Sequence, residues 1–161
     1  GSIGDRITLP FAGPLTATKH ALLALTEGFR LELAPWNIRV VLIEPAGIRT
    51  DAVDKLDRDA QRALEQFGSP GRGLYGQAFR SMTSLALAHE AQGSPPEVVA
   101  SAILGALETP RPKARYLVGK NARILATVAN LPAFVLDPLR RRFFGLPQPG
   151  SMVQAVRDPR G

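Results

Sequence analysis

Cysteine is absent from this 161-residue chain, and histidine occurs only twice, as His20 and His89. Without cysteine there can be no disulfide, thiolate metal site or cysteine nucleophile. Two isolated histidines make no metal centre, so no metal ligand is assigned. No apolar run reaches the roughly 18 residues needed to cross a bilayer, and the opening residues lack a signal-peptide pattern. The expectation is a cytoplasmic protein with one sizeable core. The first residue is Gly1 rather than methionine, and the chain opens in what reads as the middle of a fold.

Acidic residues are scarce in one region. From Arg111 onward the chain carries ten basic residues and two acids, Asp137 and Asp158. Such a patch can attract phosphate, anionic lipid or nucleic acid. Aromatics are few and no recognisable module accompanies the charge, so nucleic acid is not an expected partner.

Residues 15–33 carry Ala21, Leu22, Leu25, Phe29 and Leu33 at helical spacing, closed by Pro35. Residues 38–43 form a β-branched run suited to a strand buried on both faces of a parallel sheet. Residues 51–93 read as an irregular, partly helical excursion broken by Gly68, Pro70, Gly71, Gly73 and Gly76. Ser94-Pro95-Pro96-Glu97 has the form of a capping box, followed by an apolar helical face. Tyr116-Leu117-Val118 is a short strand, and helices are expected around 122–129 and 133–144. The order of elements predicts an α/β fold with few parallel strands.

Several stretches, taken in order, resemble the short-chain dehydrogenase/reductase family. Gly1-Ser2-Ile3-Gly4-Asp5-Arg6 resembles Ser-Ser-Ile-x-Gly-Arg, at the end of that family's catalytic strand. Leu15-Thr16-Ala17-Thr18-Lys19 resembles Tyr-Ala-Ala-Ser-Lys, with Leu15 at the tyrosine position. Pro45-Ala46-Gly47-Ile48-Arg49-Thr50 resembles the Pro-Gly-x-Ile-x-Thr loop that holds the nicotinamide end of the cofactor, and Arg115-Tyr116-Leu117-Val118-Gly119 resembles a final strand. The resemblance implies the C-terminal portion of a Rossmann-type doubly wound parallel sheet over residues 1–145. Within it 51–93 is the substrate-loop region, and 146–161 follow as a flexible tail.

By the same resemblance, Ser2 polarises a substrate oxygen, while Lys19 contacts the nicotinamide ribose and favours an ionised tyrosine. Pro45, Ala46, Gly47, Ile48 and Thr50 join Lys19 in holding NAD or NADP. Thr50 is also placed to cap the helix after it. Leu15 transfers no proton. Thr16, His20, Tyr75 and Tyr116 are the residues to weigh as replacements, and none has a sequence reason to serve. The family's Gly-x-x-x-Gly-x-Gly phosphate loop is absent from the chain. Two or three strands with their helices leave a sheet edge and apolar helix surface uncovered, so the chain is expected to be marginal alone.

The implied function is NAD(P)-dependent oxidation or reduction of an alcohol or carbonyl compound. Leu74, Tyr75, Phe79 and Met82 suggest an apolar substrate. The competing expectation is a non-catalytic homologue acting as a binding or oligomerisation module, with the helix carrying Lys19 packed against a second copy. The basic C-terminal tail, where apolar residues alternate with Arg140-Arg141-Arg142, raises peripheral membrane contact as a third expectation.

Overall fold

Pro14 in the first turn and a run of good helix formers give α1, Gly13–Glu32, in the computed structural model, which describes residues 1–153. Its inward face is not the leucine stripe. Thr16 and Thr26 are buried, with Lys19, Leu23 and Arg30 half-buried at helical spacing between and beyond them. The threonines tolerate burial because each hydroxyl is satisfied within the helix, Thr16 Oγ1 on the carbonyls of Ala12 and Gly13, and Thr26 Oγ1 on Leu22. Leu15, Leu22, Leu25 and Phe29 lie exposed on the adjoining face.

Residues 1–50 and 89–130 form one compact unit; among the described residues 51–88 and 131–153 form a second. In the first, β1 (Leu42–Pro45) pairs in parallel with β2 (Arg115–Val118), Leu42 opposite Arg115 and Pro45 opposite Val118. A 3-10 turn, Ile3–Asp5, packs against α1. The core is small: Leu42, Ala46, Val118, and Ala122 and Ala126 from α5 (Ala122–Val128). This is the expected α/β arrangement with few parallel strands.

The ladder is shorter than the apolar run predicts. Residues 38–41 precede it without a partner, and Ile38 is exposed, its N–H turned back to Leu33 O. The segment before β2 contains Pro110 and Pro112, which have no N–H to offer a neighbouring strand.

A second difference lies at Ser94. Helix α4, Glu97–Glu108, has Pro96 at its cap and no side-chain capping bond. Ser94 instead ties loops together. Its N–H and C=O bond Gly47 O and Arg49 N, and its Oγ accepts from Lys120 N–H at 2.8 Å.

In the second unit the excursion is regular after all. α2 (Ala52–Gln66) and α3 (Ser69–Ala91) are separated by two residues, and Gly71, Gly73 and Gly76 lie inside α3. Pro70 suits a first helical turn. Arg72 Nη2 donates to the carbonyls of Glu65 and Phe67, satisfying the exit of α2, and the rings of Phe67 and Phe79 lie 5.4 Å apart. Ala78, Met82, Leu136 and Phe144 are this unit's buried apolar residues, the latter two on or just beyond α6 (Ala133–Phe143). Half of the expected tail, residues 154–161, lies outside the described residues.

Candidate functional site

The Ser2 hydroxyl and the stem of Lys19 both lie beside Gly4. Ser2 is extended (φ −168°) and caps the turn after it, its Oγ accepting from Gly4 N–H at 3.1 Å. A Cβ placed on Gly4 would sit 3.5 Å from Ser2 Oγ and 3.7 Å from Lys19 Cγ. One helical turn before Lys19, Leu15 is 58% exposed. The alternatives for proton transfer are engaged elsewhere. Thr16 is buried and bonded to its own helix, and His20 Nδ1 lies 2.9 Å from Thr16 O. Tyr116 accepts from Lys113 N–H through its hydroxyl, and Tyr75 belongs to the second unit.

The loop after β1 is held by its own backbone. Ala46 N–H donates to Val118 O and Arg49 N–H to Ser94 O, both at 2.9 Å. Ile48 N–H donates to the Glu90 carboxylate at 3.2 Å. A Cβ on Gly93 would come within 2.5 Å of Gly47 O, and one on Gly47 within 2.9 Å of the His89 ring, so two glycines permit this approach. Pro45 is half-buried and Ala46 buried, whereas Thr50 is exposed. Helix α2 takes Asp51 as its cap residue and has no side-chain capping bond, so Thr50 does not cap it.

Between these two segments lies a charge cluster that the sequence reading did not anticipate. Glu44, fully buried on β1, accepts from Arg6 Nε at 2.8 Å and from Arg115 Nε and Nη2 at 2.7 and 2.5 Å. Asp5, 2% exposed, receives Arg115 Nη2 at 3.4 Å, and its Oδ2 has no partner among the described residues. Glu27 of α1 reaches Arg115 at 3.7 Å.

Burial, reinforced by the neighbouring Glu44, pushes the Asp5 carboxyl up to about 6. Burial would raise Glu44 too, but the hydrogen bonds from Arg115 and Arg6 outweigh it and hold Glu44 at about 2. Arg115 is raised chiefly by its bonds to Glu44. A signal was present: a glutamate directly after an apolar strand run needs a partner if the strand is buried. The cluster joins the turn carrying Ser2 to the strand that leads into the loop.

A model of the short chain dehydrogenase family matches residues 1–61, the stretch holding Ser2, Leu15, Lys19 and the loop. A reductase and a second family member match across more than four-fifths of the chain. The chain belongs to the short-chain dehydrogenase/reductase family. It is 32% identical over 135 residues to an NADPH-dependent 3-dehydrocapnine reductase of Ornithobacterium rhinotracheale, covering 83% of this chain and 45% of that protein. It is 32% identical over 148 residues to a probable short-chain type dehydrogenase/reductase, VdlC, of Helicobacter pylori, covering 87% and 49%. Estradiol 17-beta-dehydrogenase 2 of Rattus norvegicus is 28% identical over 162 residues, covering 97% and 42%. The chain spans about half the length of these relatives. Asp5 stands at the glycine position of the dehydrogenase/reductase motif, which is why the motif alone gave no hint of a buried carboxyl there.

Proposed function

We propose that this chain is the substrate-side part of an NAD(P)-dependent oxidoreductase for an apolar alcohol or carbonyl compound, with its proton-transfer residue replaced by Leu15. The observation that carries this reading is that Ser2 Oγ and the stem of Lys19 both lie beside Gly4, with Leu15 exposed one turn before Lys19. Because Ser2 Oγ accepts from Gly4 N–H, its own O–H is left to donate to a substrate oxygen. Lys19 supplies an ammonium for ribose hydroxyls, and Thr50 an exposed hydroxyl for the carboxamide side. These donors fit the nicotinamide end of the cofactor; the glycine pattern for its pyrophosphate is not in this sequence. Nicotinamide, when bound, supplies or accepts hydride. NADPH in one relative's name and estradiol in another's support the cofactor class and an apolar substrate.

Two observations favour a second reading, a non-catalytic homologue. Leu15 has no proton to give, and Ile48 N–H, a backbone donor of the cofactor loop, is already taken by Glu90. The exposed stripe of Leu15, Leu22, Leu25 and Phe29 supports a homo-oligomer through α1.

The test is turnover of NADH and NADPH with a panel of apolar ketones, comparing the protein with Leu15→Tyr. No turnover is expected with Leu15; turnover is expected with Leu15→Tyr, lost again when Lys19→Met is added. Turnover with Leu15 itself would overturn the non-catalytic reading. Silence in both proteins, with the dinucleotide shown to bind, would overturn the oxidoreductase reading.

A further inference from the structure

The second unit holds a cleft of about 520 Å³ between α3 and the end of α6, lined by Gln77, Arg80, Ser81, Ser84, Arg142 and Phe143 among others. Both arginines are exposed, and among the described residues neither is paired with an acid, whereas Arg140 is held by Asp137 at 3.9 Å. Ser81 backs the cleft, its Oγ 3.5 Å from a Cβ placed on Gly145, where the chain turns at φ +60°. Two guanidinium groups and two hydroxyls around one cleft are the donor set of an anion site, and a phosphate group fits it.

The surroundings identify the source of that anion. Along α6, Phe134, Pro138 and Arg142 recur every four residues on one exposed face, flanked by Leu131 and Leu139. Phe134 is 80% exposed. Phe143 stands edge-on to buried Phe144, ring centroids 4.9 Å apart, and is itself exposed at the cleft. Large apolar side chains presented beside unpaired arginines are the pattern of a helix lying in a lipid interface. A soluble phosphate would need the arginines but not the phenylalanines. Among the described residues no helix is long and apolar enough to cross a membrane, so contact would be from one side.

We propose that α6 seats on an anionic membrane surface, with a lipid headgroup phosphate in the Arg80–Arg142 cleft and Phe134, Leu139 and Phe143 against the acyl boundary. The proposal stands apart from the oxidoreductase reading.

Co-sedimentation of the full chain with phosphatidylglycerol/phosphatidylcholine vesicles tests it, with phosphatidylcholine vesicles and inorganic phosphate as the other arms. The chain is expected to pellet with the anionic vesicles at low salt and to stay in solution with phosphatidylcholine. Arg80→Gln with Arg142→Gln should weaken partitioning roughly thirtyfold, and Phe134→Ser roughly tenfold. The charge-matched pair Arg111→Gln with Lys113→Gln, in the first unit, should change it little. The proposal is overturned by absence of binding at low salt, by pelleting without vesicles, or by equal losses from the two charge-removing pairs. It is also overturned if millimolar phosphate abolishes vesicle binding at constant ionic strength, since the cleft would then serve a soluble anion.

Discussion

Arg115 reaches diagonally across the two-stranded sheet to Glu44, donating through Nε at 2.7 Å and through Nη2 at 2.5 Å to the two oxygens of one fully buried carboxylate. Arg6 binds the same carboxylate from the turn that carries Ser2. A single acid thus fastens three segments, and its removal would leave two arginines facing a buried space.

Breaking this pair should be costly. Arg115→Leu leaves the buried Glu44 carboxylate with Arg6 as its remaining counter-charge and is expected to destabilise by about 2–3 kcal/mol. The exposed pair between Arg62 and Asp59 is the control: Arg62→Ala should cost less than about 1 kcal/mol. Urea unfolding of the two variants checks the contrast, and similar losses would contradict it.

The two buried carboxyls predict opposite pH slopes. Asp5 rises from an ordinary value of 3.8 to about 6 on folding, so the folded state holds its proton more tightly. Stability from Asp5 is therefore largest below about pH 4 and is lost as pH rises to 6. Glu44 falls from 4.5 to about 2, so its contribution is full above about 4.5 and is lost as pH falls toward 2. Together they place maximum stability from this cluster near pH 4–5. Asp5→Asn should remove the decline between pH 4 and 6 and make the protein more stable than wild type at pH 7, by thermal melts across that range. An unchanged slope would show that Asp5 does not carry it.

Glycine substitutions should have opposite signs at two positions. A Cβ on Gly93 meets the Gly47 carbonyl oxygen at 2.5 Å, and backbone cannot yield as a flexible side chain does. Gly93→Ala is expected to destabilise by about 1–3 kcal/mol. On α4, a Cβ on Gly105 meets nothing within 4 Å, and Gly105→Ala should stabilise by about 0.5–1 kcal/mol. Denaturant midpoints of the two variants decide it.

Glu90 should control the loop after β1. With Glu90→Ala the Ile48 amide loses its acceptor, and its hydrogen exchange is expected to quicken at least tenfold. The Arg49 amide, bonded to Ser94 O, should change much less. Equal acceleration at both would mean that the loop opens as a whole.

Much of the fold was legible because it rests on local physics. Pro14, Pro35 and Pro132 punctuate helices where sequence periodicity also begins or ends. The apolar runs at 38–43 and 116–118 marked the two strands, though only Leu42 and Ile43 of the first run join the ladder. The family motifs gave the positions of Ser2, Lys19 and the 45–50 loop, and the presence of Leu15 where a tyrosine was expected. The glycines of 71–76 misled because helix propensity is a weak prior, and the tight packing of α3 around Ala78 and Met82 overrides it.

By itself the sequence determined the order and kind of elements outside residues 51–93, the family, the missing phenol and the impossibility of cysteine chemistry, since each depends on residue identity and short spacings. Only the tertiary structure decided that α1 turns Thr16, Lys19 and Thr26 inward and Leu15, Leu22, Leu25 and Phe29 outward, that Ser94 braces a loop instead of capping a helix, and that Asp5 shares a buried cluster with Glu44, Arg6 and Arg115. Asp5 and Arg115 are 110 positions apart. No local propensity carries information over that distance; burial of their charges fixes it, because in a small core each buried charge must meet its counter-charge.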